Sequence, residues 1–153
     1  MRHSVEQGRQ GGVTLLELVV GMTAVMILAS VAIPAYTGYV TRARVAVAVG
    51  DMGRISLQLY RWQLNTRSFP ATLAEAGLDA NDPWGKPYQY LPVQGANRAA
   101  LRKDRNLVPI NTDFDLYSMG PDGKSFPPLT AAFSLDDVVR ANDGSFIGVA
   151  KDY

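Results

Sequence analysis

The chain has 153 residues, of which 47% are hydrophobic, and its fifteen basic residues nearly balance its fourteen acidic residues. This length accommodates one domain with its own core plus an additional segment, and the near-neutral charge provides no field that would attract nucleic acid. Cysteine is absent, and His3 is the only histidine. Disulfides, thiolate catalysis and the usual structural zinc sites are therefore excluded, and histidine-based triads are disfavoured.

Residues 13–35 form an apolar run in which Glu17 is the only charged residue. The run meets the length of about 20 residues that a membrane-spanning helix needs. A secretory signal peptide has a shorter apolar core, of about 7–15 residues, followed by small residues at the cleavage site. Here the small residues precede the run, so the pattern predicts a membrane-spanning helix.

Glu17 is costly inside a membrane span, by roughly 2.5–3.5 kcal/mol, and therefore requires a partner. A new amino terminus at Val13 would supply a positive charge. The alternative is that Glu17 lies at the depth of the lipid headgroups and stays solvated.

Gly12, Val13, Glu17 and the apolar run after them resemble the class III signal of type IV pilins and type II secretion pseudopilins. The resemblance implies that residues 1–12 are a leader, which a prepilin peptidase removes after Gly12, and that the new amino group of Val13 is methylated. It also implies that Glu17 pairs with the terminal amine of a neighbouring subunit during assembly. Pro34 matches the family's helix-kinking proline, whereas Val13 replaces the usual Phe.

Pro34 is expected to bend or locally melt the helix, and an amphipathic pattern follows over residues 36–66. Its apolar residues recur at spacings of three and four, and they are Val45, Val49, Met52, Ile55, Leu59 and Trp62. The polar residues of the opposite face are Asp51, Arg54, Gln58, Arg61 and Asn65. We therefore expect the helix to continue and to cover the core of its own domain.

Residues 67–153 are expected to form a globular head. One or two helical turns are predicted at residues 71–76, closed by Gly77, and strands are predicted at 88–91, 114–119 and 146–150. The loop at 96–106 carries four basic residues, and we interpret it as a solvated hairpin loop rather than a basic binding patch; they are Arg98, Arg102, Lys103 and Arg105. The predicted fold class is α+β and pilin-like, with a long amino-terminal helix packed on a small antiparallel sheet.

The segments DPWGKPYQYL and DFDLYSMGPDGK resemble paired segments of the major, G-type pseudopilin of type II secretion. The resemblance implies a structural subunit that polymerises with other pseudopilins, engages an inner-membrane assembly platform and keeps its head in the periplasm. The alternative is a major or minor type IV pilin that serves adhesion, motility or DNA uptake. A membrane-anchored enzyme is poorly supported, because no nucleophile and base pair or phosphate loop is visible. A membrane-tethered binding module is a further alternative.

The resemblance also implies calcium, because the G-type pseudopilin uses a calcium-binding loop where major pilins commonly have a disulfide. Calcium takes six to eight oxygen ligands. The candidates are Leu116 and Ser118, through backbone carbonyls, and Asp122, Ser134, Asp136, Asp137, Asn142 and Asp143. Alternatively, Asp136 and Asp137 cap a short helix over residues 138–141.

Overall fold

The structure is a computed structural model that describes residues 12–153, so the predicted leader lies outside the described residues except for Gly12. One long helix, α1, spans Leu15–Thr66. Four strands follow, namely β1 (Gln89–Pro92), β2 (Phe114–Ser118), β3 (Val138–Ala141) and β4 (Phe146–Val149). Short 3₁₀ turns occupy Ala132–Ser134, Asn142–Gly144 and Ala150–Asp152.

The chain divides into two compact units, Met1–Val40 and Thr41–Tyr153. In the described part of the first unit, α1 continues through Pro34 without interruption, so the local melting that we expected there is wrong. No residue of that part is buried. The second unit contains the rest of α1, the whole sheet and every buried core residue of the described chain.

The sheet is antiparallel throughout, with strand order β1-β2-β3-β4. Tyr90 is paired with Leu116, Tyr117 with Val139, and Val139 with Gly148. The three predicted strands are confirmed to within one residue at each end. The α+β fold class is likewise confirmed, with the second half of α1 packed on the sheet.

The second half of α1 buries one face against the sheet, as its spacing predicted. Ala48, Met52, Ile55 and Leu59 are fully buried, and they pack with residues of the strands and of the segment before β1. Burying a side chain such as Met, Ile or Leu contributes roughly 1.5–3 kcal/mol. The remaining members of this cluster are Leu73, Tyr88, Phe114, Leu116 and Val138.

Strand β3 was not predicted, and it replaces the short helix that we considered over the same residues. All four of its residues are buried. Val138 packs in the cluster that contains α1, while Val139 and Ala141 belong to a second cluster with Ile110 and Leu129. Because side chains alternate between the two faces of a strand, a buried sequence of this kind fits a strand covered on both faces. The helix-capping role of Asp136 and Asp137 is therefore wrong.

The segments 71–78 and 82–86 form turns between the end of α1 and the start of β1. The first contains hydrogen-bonded turns that close at Gly77, which has φ of +65°. In the second, Asp82 is buried, and its carboxylate accepts hydrogen bonds from the backbone N–H groups of Trp84 and Lys86 at 3.0 and 2.9 Å. The hydroxyl of Ser118 donates to the other carboxylate oxygen of Asp82. This contact joins the DPWGKPYQYL segment to the end of β2.

Candidate assembly site

The amino-terminal end of α1 contains the predicted cleavage and assembly residues. The hydroxyl of Thr14 accepts a hydrogen bond from the backbone N–H of Glu17 at 3.2 Å. A threonine followed three residues later by Glu is a capping arrangement. Glu17 consequently lies in the first turn of the helix, where the helix dipole favours a negative charge.

The carboxylate of Glu17 has no hydrogen bond or ion pair within residues 12–153, and Val13 is 71% exposed. Both positions are therefore accessible to a second molecule. The predicted roles of Gly12, Val13 and Glu17 involve a second molecule, and they stay predictions.

The first half of α1 presents apolar side chains around its whole circumference. It is long and apolar enough to cross a membrane, judged by length and composition, and the most apolar window of this helix is not buried. Exposed fractions are at least 49% for all large apolar side chains from Leu15 to Tyr39, among them Leu16, Val20 and Met26. A surface of this kind requires either lipid or other apolar helices around it.

The predicted calcium ligands are not brought together as one set. The hydroxyl of Ser134 is hydrogen-bonded to Phe126, and the carboxylate of Asp122 is exposed and accepts the backbone N–H of Lys124. Asp143 accepts the N–H and the hydroxyl of Thr112 at 2.6 and 2.8 Å. No three His, Asp or Glu side chains within residues 12–153 are grouped so that they could hold a metal.

Three further predicted ligands, Leu116, Ser118 and Asp136, lie in the sheet or next to it. Leu116 and Ser118 belong to β2, with the side chain of Leu116 in the core. Asp136 is half-buried and lines a cavity of about 430 Å³ together with Trp84 and Lys151. Calcium binding stays a prediction from the resemblance.

Asp137 is fully buried and pairs with Arg102 instead. The guanidinium Nη2 of Arg102 lies 2.7 Å from Asp137 Oδ2, and these side chains are 3% and 0% exposed. Burial raises the pKa of Asp137 to about 6, although hydrogen bonds from Ser125 and Arg102 act in the opposite direction. The prediction that the whole 96–106 loop is solvated is thus wrong for Arg102.

A second buried arginine connects α1 with the sheet. Arg140, on β3, donates to both carboxylate oxygens of Asp113 at 2.8 and 2.7 Å and to the hydroxyl of Tyr60 at 2.8 Å. Burial by itself raises the pKa of Asp113, but the hydrogen bonds from Arg140 and Tyr60 outweigh it and hold the pKa below its ordinary value. Burial, followed by the bond to Asp113, raises the pKa of Tyr60 to about 12.

Sequence reasoning missed both arginine networks. The one available signal was the position of Arg140 directly after Val138 and Val139, since a charge beside two β-branched apolar residues indicates a buried pair. Arg102 offered no such signal among its basic neighbours.

Comparison with known proteins places these features in a family. The chain is 30% identical to a protein named type II secretion system core protein G of Pseudomonas aeruginosa, over 78% of this chain and 89% of that protein. It is 28% identical to the Aeromonas hydrophila protein of the same name, over 79% and 90% of the two chains. It is also 34% identical to the type IV major fimbrial protein FimA of Dichelobacter nodosus, over 78% and 74%.

No protein-family model matches the chain, and no solved structure matches it. The similarity to core protein G includes most of this chain and nearly the whole length of those relatives, and the structure has the fold that the resemblance implied. The chain therefore belongs to the type IV pilin and type II secretion pseudopilin family.

Proposed function

We propose that the chain is a structural, non-catalytic subunit of a type II secretion pseudopilus. In this role it polymerises through its amino-terminal helices and helps to export folded proteins across the outer membrane. The similarity to core protein G along about nine-tenths of the relatives' length is the observation that carries the proposal.

The exposed apolar half of α1 supports a role in both membrane and filament. Before assembly, this segment would span the inner membrane once, with Thr41–Tyr153 in the periplasm. During assembly, the same apolar surface would pack against the corresponding helices of other subunits. Transfer between the two states costs little hydrophobic free energy, because lipid and packed helices are both apolar surroundings.

Processing would prepare the assembly contact. Cleavage after Gly12 by a prepilin peptidase would create a positively charged amino terminus at Val13. The carboxylate of Glu17 has no partner within the described chain, so it is free to attract that amine on a neighbouring subunit. In a low-dielectric environment such an attraction is much stronger than in water, and it would fix the register between subunits. An inner-membrane assembly platform is the expected site of this step.

A type IV pilus subunit is the second candidate, and the similarity to FimA favours it. The two functions differ in where the polymer acts. A pseudopilus acts in the periplasm, whereas a pilus extends from the cell surface.

Deletion of the gene from its native host separates these functions. We expect the deletion strain to lose secreted enzymes from the medium while its surface fibres remain, and a plasmid copy of the gene to restore secretion. Normal secretion together with missing surface fibres would contradict the proposal and favour the pilus. A plasmid copy with Glu17→Ala, produced at the wild-type level, tests whether assembly is required for the restored function.

A further inference from the structure

We propose that the guanidinium of Arg102, and not a calcium ion, is the cation that fixes the segment between β2 and β3 to the sheet. Residues 119–137 form this segment, which we term the β2–β3 segment. The resemblance predicted that a metal would stabilise this part of the molecule. The contacts of the chain itself assign the same role to an arginine side chain.

The guanidinium of Arg102 binds oxygen atoms from the middle and from the carboxyl end of the β2–β3 segment. Its Nη1 donates to the hydroxyl of Ser125 at 2.5 Å and to the backbone carbonyl of Phe126 at 2.7 Å. Its Nη2 donates to Asp137 Oδ2 at 2.7 Å. The backbone carbonyl and the carboxylate are types of oxygen that calcium also binds, but here all three oxygens already surround a positive charge.

The position of this charge is fixed by the sheet. The backbone N–H of Arg102 donates to the buried carboxylate of Asp115, on β2, at 2.7 Å. The guanidinium carbon lies 4.3 Å from the centre of the Tyr117 ring, in a cation–π contact. The next residue, Lys103, exchanges backbone hydrogen bonds with Pro127 and Leu129 of the β2–β3 segment. The arginine is thus held at its backbone and along its side chain.

A divalent cation would find few free ligands near this site. The hydroxyls of Ser118 and Ser134 are engaged with Asp82 and Phe126 respectively. Among the buried side-chain oxygens of the β2–β3 segment, only Oδ1 of Asp137 has no hydrogen bond within the described chain. A cation bound there would share its carboxylate with the guanidinium. The cation and the guanidinium would then be two positive charges on one carboxylate, and they would repel each other strongly in this poorly hydrated site.

Thermal unfolding of the processed full-length chain in detergent tests the proposal. Tryptophan fluorescence reports on the relevant unit, because both tryptophans, Trp62 and Trp84, lie within Thr41–Tyr153. We expect the same midpoint in millimolar calcium and in excess chelator. A midpoint of the wild-type chain that rises by several degrees with calcium would overturn the proposal.

Substitution of the arginine provides the second measurement. We expect Arg102→Met to lower the midpoint by about 10 °C or more with or without calcium, because Asp137 is left buried without its partner. Arg98→Met removes the same charge from an exposed position of the same loop and should leave the midpoint nearly unchanged. Equal, small effects of the two substitutions would contradict the assigned role. If Arg102→Met does not fold, the calcium comparison on the wild-type chain still decides the question.

Discussion

Arg140 and Asp113 form an ion pair through two hydrogen bonds, of 2.8 and 2.7 Å, in which the arginine side chain is completely buried. The hydroxyl of Tyr60 joins both residues, with a hydrogen bond of 2.6 Å to Asp113. Since Tyr60 belongs to α1 and Arg140 to β3, this cluster connects the helix with the sheet.

We expect Arg140→Met to destabilise the protein by about 3–5 kcal/mol, because it removes one partner of a buried pair and leaves Asp113 without its counter-charge. Chemical denaturation followed by tryptophan fluorescence measures this loss. Arg61→Met, at an exposed position one residue from Tyr60, provides the matched control and should change the free energy of unfolding by less than about 0.5 kcal/mol. A loss for Arg140→Met no larger than that of the control would contradict the stabilising role of the cluster.

The stability that Asp113 provides should depend on pH. The folded protein holds the pKa of Asp113 below its ordinary value of 3.8. The unfolded chain therefore binds the proton more readily than the folded protein does. The stabilisation is then fully present above pH 3.8 and is lost as the pH falls through the lower folded pKa.

We accordingly expect Asp113→Asn to be clearly less stable than the wild type at neutral pH. The difference should become smaller as the pH falls from 3.8 towards the lower folded pKa, because the unfolded wild-type chain then takes up a proton that the folded protein does not bind. Melting curves of both proteins between neutral and acidic pH provide the test. A difference that stays constant over that range would show that the charge of Asp113 does not contribute.

Gly120 allows the backbone after β2 to approach the backbone before β3. Its φ is +64°, and a Cβ atom placed on it would lie 2.5 Å from the carbonyl oxygen of Asp136. Gly120→Ala should thus be destabilising both through its φ and through this close approach. Gly77→Ala is the matched control, because Gly77 has φ of +65° and no atom within 4 Å of such a Cβ.

The control isolates the cost of the backbone conformation, about 1–2 kcal/mol. We expect Gly120→Ala to exceed it clearly in denaturant titrations, since Asp136 would have to move. Equal losses for the two substitutions would indicate that the segments around Gly120 and Asp136 separate without cost.

Processing of the precursor is a further prediction. We expect the mass of the membrane-extracted protein to correspond to a chain that begins at Val13 and carries one methyl group. Gly12→Leu should leave the unprocessed precursor in the membrane, because the residue before the cut is replaced by a bulky one. A mature protein that retains Met1, or one cut beyond Ala35, would contradict the predicted cleavage.

The sequence was most informative where a repeating pattern extended over many residues. The spacing of Met52, Ile55 and Leu59 predicted the buried face of α1, and apolar strands next to Gly and Pro turns predicted β1, β2 and β4. Strand β3 was missed because it has only four residues, includes Arg140 and follows two acids that suggested a helix cap. Short elements of this kind are determined by the strands that pair with them rather than by their own sequence.

The buried ion pairs were not predictable for a different reason. Arg102 and Asp137 are 35 positions apart, and Arg140 and Asp113 are 27 apart. In the sequence each arginine looks like any solvated basic residue, and only the folded chain shows its partner. The opposite holds for Gly12, Val13 and Glu17. A sequence motif identified these residues, but the contacts that the motif implies are made with a second molecule.

Filament yield tests most directly the claim that this chain polymerises through its amino-terminal helix. The chain is overproduced together with its prepilin peptidase and assembly platform, and filaments sheared from the cells are quantified against the total amount of the subunit. We expect abundant filaments from the wild type, and few from Glu17→Ala and from the size-matched Glu17→Gln, because both lack the charge that would attract the amine of Val13 on a neighbour. Thr23→Ala, a polar-to-apolar change in the same helix, should assemble normally. Wild-type filament yields from both Glu17 variants, at equal membrane levels of processed protein, would contradict the account.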